Sequence, residues 1–80
     1  MTPDRGSVWR YFGVPTDQQG SVNEPRTSQE FGLTWNEKWI YRGRDGRAIE
    51  RIVLWNRYDF VGAFRFGPDG TARAEALPEP

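Results

Sequence analysis

The sequence predicts an all-β domain: an antiparallel meander of four to five strands, or a small partly open barrel, with a long polar loop near the N-terminus. Three observations carry this expectation. Asp45-Gly46 separates two β-prone runs, and Asp-Gly in that setting is the strongest short hairpin signal, because both positions of a two-residue turn need positive φ. Phe31, Leu33 and Trp35 alternate with Gly32 and Thr34, the period of a strand. No segment sustains the 3.6-residue period of a long helix.

In chain order, "SVWRYFG" at 7–13 is rich in β-formers and closed by Gly13 and Pro15, which predicts a short strand, with one helical turn as the alternative. Residues 15–30 hold a single aliphatic side chain, Val22, among prolines, glycine and turn formers, and read as an extended polar loop or arm. Loops of that length are uncommon in compact domains and are often functional. A strand through Phe31, Leu33 and Trp35 follows, then a hairpin of 38–44 and 47–55, then an aromatic-rich strand at 58–66. "GPDG" at 67–70 predicts a β-turn with Pro68 in its second position. Residues 71–77 return as a strand or short helix, and 78–80 form a tail.

The 80 residues make one small domain, 1–80. Without cysteine there is no disulfide and no thiolate metal site, so stability falls to apolar burial, and the 4 Trp, 3 Tyr and 5 Phe supply the area for it. Basic and acidic residues balance at 11 each, which argues against a generic nucleic-acid binder. Lys38 is the only lysine; a GC-rich genome explains the arginine preference, and so does anion or stacking chemistry, which favours the planar guanidinium. No run approaches the ~20 apolar residues of a membrane span, and the first residues lack a signal-peptide core. A cytoplasmic protein without membrane insertion is the expectation.

A two-residue turn at Asp45-Gly46 would set Trp39 opposite Ile52, Tyr41 opposite Glu50, Ile40 opposite Arg51 and Arg42 opposite Ile49. One face then collects Trp39, Tyr41, Ala48, Ile52 and Leu54. The other collects Lys38, Arg42, Arg44, Arg47 and Arg51, interrupted by Ile40, Ile49, Val53 and Trp55. Like charges opposed in a sheet are destabilising, so a carboxylate, a partner or an anion should offset them. An even loop near Asn56 and Arg57 would add Phe60, Phe64 and Phe66 to the arginine face, with Phe60 opposite Val53 and Phe64 opposite Ile49. Both faces are then apolar enough to need a cover: barrel closure, the N-terminal segment, or a second chain.

With neither histidine nor cysteine, Ser-His-Asp and Cys-His sites cannot form, and no cofactor or metal site is expected. Gly43 and Gly46 lack phosphate-loop spacing. "DFVGAFRF" at 59–66 lacks the leading basic-glycine pair of RNA-recognition strands. Glu50 is the one acid expected on an apolar row, where burial would raise its pKa; pairing with an arginine or with the Tyr41 hydroxyl explains it better than catalysis. These features point to a non-catalytic binding module, a small accessory or adaptor subunit docking on a partner protein or on itself. Lys38, Arg42, Arg44, Arg47, Arg51 and Trp55 are the candidate interface, since interfaces concentrate aromatic and arginine side chains. The alternative is a small-barrel single-stranded nucleic-acid-binding protein using the same residues. A carboxylate-dependent enzyme is the second alternative.

Overall fold

The computed structural model describes residues 3–77. The 78–80 tail lies outside them. One helix, α1 (Arg5–Phe12), precedes seven strands: β1 (Asp17–Gly20), β2 (Ser28–Glu30), β3 (Leu33–Trp35), β4 (Glu37–Arg42), β5 (Ile49–Asn56), β6 (Asp59–Phe66) and β7 (Ala72–Ala74). Five strands form an antiparallel sheet in the order β1-β4-β5-β6-β7, and β2-β3 form a separate hairpin. The all-β expectation holds; the barrel does not, because β1 and β7 do not pair and, among the described residues, remain as open edges. Among the described residues no helix is long and apolar enough to cross a membrane.

The sheet is covered on both faces, by two different pieces of the chain. On one face Trp39, Tyr41, Val53, Trp55 and Ala63 pack under Val8 and Phe12 of α1. On the other, Ile40, Ile52, Leu54, Phe64 and Phe66 pack under Leu33 and Trp35 of the hairpin. Trp39 and Trp55 are fully buried, their ring centroids 4.9 Å apart. Each such indole removes on the order of 200 Å² from water, roughly 5 kcal/mol of transfer free energy.

The first segment is a helix and not the expected strand. Asp4 caps it, its carboxylate accepting from the Ser7 N–H at 2.7 Å, and Gly13 stops it at φ 83°. Val8 and Phe12, four apart, then face the sheet together, and this packing overrides the β-preference of the aromatics. The 15–30 segment carries β1, β2 and a connection tied down by Asn36. The Asn36 carboxamide, 2% exposed, donates to the Val22 and Glu24 carbonyls and accepts from the Arg57 N–H. Gly20 passes so close to the Asn36 carbonyl that no side chain fits there.

The central hairpin departs from the expected register. A four-residue loop joins Gly43 to Ala48 around a Gly43–Gly46 β-turn, and only Gly46 takes positive φ, at 71°. Arg42 does lie opposite Ile49, but Glu50 is then an extra residue, so Tyr41 faces Arg51, Ile40 faces Ile52 and Trp39 faces Val53. This bulge moves Ile52 and Leu54 away from Trp39 and brings Arg51, Val53 and Trp55 to it. A two-residue turn, Arg57-Tyr58, joins β5 to β6, and a second bulge at Val61 separates the phenylalanines: Phe60 faces Trp55 while Phe64 faces Ile52. The "GPDG" turn forms as expected, with Gly70 donating to the Gly67 carbonyl.

Candidate functional site

The six arginine, lysine and tryptophan positions expected to form one surface are distributed over three. Lys38 forms an ion pair with Glu30 and sits 5.1 Å from the Trp35 ring, on the hairpin-covered face. Arg42 donates to Asp17 at 2.7 Å and to the Arg47 carbonyl at 2.8 Å. Arg44 and Arg47 are exposed at the loop tip. Arg51 lies on the helix-covered face, and Trp55 is wholly interior there. The Glu50 bulge causes this separation. Glu50 itself is exposed and unpaired in the sheet, so the buried acid is another residue. That acid is Glu37, 4% exposed, which accepts from Arg5 at 2.6 and 3.2 Å and from the Trp39 indole at 2.9 Å.

The register assembles a different arginine group. Arg51 on β5 faces Arg65 on β6, and Arg65 faces Arg73 on β7. Directly opposed residues of an antiparallel sheet point to the same side, so the three form a row across three neighbouring strands. Gly67 donates to the Thr71 carbonyl and Glu75 to the Ala63 carbonyl, so by alternation Arg65 and Arg73 are a hydrogen-bonded pair. The bonding groups of Arg65 therefore point at Arg73, and Arg51 and Arg65 form the closer, non-hydrogen-bonded kind of pair.

Among the described residues one carboxylate forms an ion pair with this row. Glu75 reaches over β6, past the small Ala63, and accepts from the Nε and Nη2 of Arg51 at 2.7 and 2.8 Å. That hydrogen bonding holds the Glu75 carboxyl below its ordinary pKa against the opposing effect of burial, with further help from the charges of Arg51 and Arg65. The same bonds raise the pKa of Arg51, whose guanidinium also stacks 3.8 Å from the Phe12 ring. Beside it, burial pushes the Tyr41 hydroxyl up to about 12, and that hydroxyl donates to the Gly13 carbonyl at 3.1 Å. Among the described residues Arg65 and Arg73 form no ion pair, and both are exposed.

The row opens onto a concavity. Arg65 and Arg73 line a cleft of about 550 Å³ along the β6–β7 turn, and Arg65 and Phe66 continue it toward Ala48 and Glu50 at the central hairpin. Arg44 lies at the far end of the same side, beside Glu50. Among the described residues no group of three histidine, cysteine, aspartate or glutamate side chains is placed to hold a metal.

Arg65, Arg73 and Glu75 were hidden in the sequence by the last turn. A two-residue loop at Pro68-Asp69 would put Arg65 opposite Ala72. The observed loop extends to Gly70 at φ 83°, moving Arg73 into the row. Glu37 was more accessible to reasoning, since it lies two and four residues before Trp39 and Tyr41 and so shares their face. Comparison with protein-family models, with curated proteins and with solved structures finds no match for this chain.

Proposed function

We propose that this protein is a non-catalytic binding module that docks on a partner protein through the arginine end of its sheet, in a cytoplasmic setting. The observation that carries the reading is the row Arg51–Arg65–Arg73, in which, among the described residues, a single carboxylate forms an ion pair with one of three opposed cations. A like-charge row only partly compensated is a cost to the free protein, and a negatively charged partner offsets it. The exposed Arg44 and the cleft between the hairpin loop and the β6–β7 turn extend the same surface. The buried carboxylate Glu37 supports a structural and not a catalytic role for the acids, because an arginine and an indole N–H already occupy it. Nucleic acid fits less well: Lys38, Arg42 and Arg51 are engaged by carboxylates, and Trp55 is inside the core, where no base can stack on it.

Photocrosslinking in the producing cell tests this. A photoreactive residue replacing Ala48, beside the cleft, should trap a discrete protein species, and one replacing Gln29 on β2 should not. Charge reversal at Arg65 and Arg73 should abolish the product. Equal trapping from both positions, or trapping that ignores the reversal, would remove the support for this surface.

A further inference from the structure

The partner's contact segment can be specified further, on the premise that the arginine end is the docking surface. β7 is the last strand of the sheet, and its outer side is an open edge among the described residues. Because Arg73 turns its N–H and C=O toward Arg65, the backbone groups of Ala72 and Ala74 point outward. They form a short template of unpaired donors and acceptors, the feature that strand addition uses.

The side chains beside that edge differ between the two faces. On the helix-covered face the arginine row ends at Arg73, at the edge itself. A residue added opposite Arg73 would stand in the close, non-hydrogen-bonded kind of pair, where side chains approach most nearly. On the other face Ala72 and Ala74 lie opposite Phe66 and Phe64, both partly exposed. Phe31, itself exposed, stacks on Phe64 at 4.2 Å and stands 6.4 Å from Phe66, so the three rings form one apolar patch beside the edge. We infer that the partner contributes an extended segment that adds to the edge of β7, with acidic side chains on the arginine face alternating with apolar ones over the phenylalanines.

Glu75 is the internal template for the acidic contact. It reaches across one intervening strand, over Ala63, to grip an arginine on the strand beyond. A carboxylate on an added strand has the same reach across β7 to Arg65, and Arg73 is nearer still. The two arginines of the row without a described ion pair are thus the two that such a segment meets.

Fluorescence anisotropy with a labelled peptide alternating glutamate and valine, titrated into the intact protein, tests the inference. Binding should weaken about tenfold when glutamine replaces the glutamates, and by a similar factor in Arg65→Gln and in Arg73→Gln. Methylating the peptide's backbone nitrogens on the edge-facing side should abolish it. Equal binding of the glutamine peptide, or indifference to N-methylation, would overturn the charge or the strand-addition part respectively. Binding of a single-stranded oligonucleotide in place of the peptide would overturn the inference in favour of nucleic acid. Self-association without peptide, lost in Arg73→Gln, would assign the edge to a second copy instead. If Ala48 crosslinks persist while the peptide fails, the acidic strand is wrong and the docking surface stands.

Discussion

Arg65 and Arg73 stand directly opposite each other across the β6–β7 pairing, two like charges on one face with no described ion pair to either. The arrangement is unfavourable in the free protein, and its consequence is measurable. Replacing Arg73 by glutamine should raise stability by a few tenths of a kcal/mol at low salt, as expected for relief of a like-charge cross-strand pair. The gain should shrink at high salt, where the Debye length falls to about 3 Å at 1 M. Urea unfolding at two ionic strengths reads both effects. A loss of stability would show that Arg73 is held by a favourable contact in the free state.

Glu75 carries the opposite sign. Its hydrogen bonds from Arg51 lower its folded pKa, so its contribution is complete above the ordinary value of 4.5 and is lost as pH falls through the depressed folded value. Glu75→Gln should cost about 1–2 kcal/mol near neutral pH, the lower part of the range for hydrogen bonds to charged groups, since the pair is partly solvated. The difference between the two proteins should close on acidification below 4.5. Denaturation followed across that window checks the convergence.

Tyr41 governs the alkaline side. Burial raises its pKa from 10.0 to about 12, so its contribution is complete below 10 and disappears as pH rises from there through 12. Tyr41→Phe should cost about 1 kcal/mol at neutral pH through the lost bond to the Gly13 carbonyl. The variant should also show a flatter alkaline unfolding profile. A profile as steep as that of the parent would assign the alkaline loss to another group.

The Arg5–Glu37 pair fastens α1 to the sheet. Glu37→Gln keeps an acceptor for the Trp39 indole while removing the charge opposite Arg5. The expected cost is about 3 kcal/mol, the low end for opening a buried pair, because Arg5 retains contact with water. Tryptophan fluorescence during denaturation reports it, since Arg5 lies within 5.4 Å of both the Trp39 and Trp55 rings.

The sequence carried the architecture further than the surface. Alternation at Phe31, Leu33 and Trp35, and the turn chemistry of Asp45-Gly46 and Gly67–Gly70, were enough to foresee an antiparallel β-fold with both faces apolar. The strand itself begins only at Leu33, however, because Phe31 and Gly32, at φ 54° and 75°, form the β2–β3 turn. Which residues share a face depends on register, and register turned on single residues that no local signal marks. The bulge at Glu50 shifted Arg51 and Trp55 to the helix side, and the one at Val61 parted Phe60 from Phe64. The helix at the N-terminus was obscured for a different reason: its residues prefer strands, and only the Asp4 cap and the packing of Val8 and Phe12 on the finished sheet reverse that preference. Of the six expected contact residues, Arg44 remains beside the cleft, while Arg51 joins a row whose other members, Arg65 and Arg73, come from strands that local turn rules paired differently.

The most direct test of the docking edge is amide hydrogen exchange at Ala72 and Ala74, with and without the glutamate–valine peptide. In the free protein the Arg73 amide, bonded to β6, should be protected while those of its two neighbours exchange rapidly. Saturating peptide should slow Ala72 and Ala74 about tenfold or more and leave the amides of β1, at the opposite edge, unchanged. Unaltered exchange at Ala72 and Ala74 under saturation, or protection appearing on β1 instead, would contradict the account.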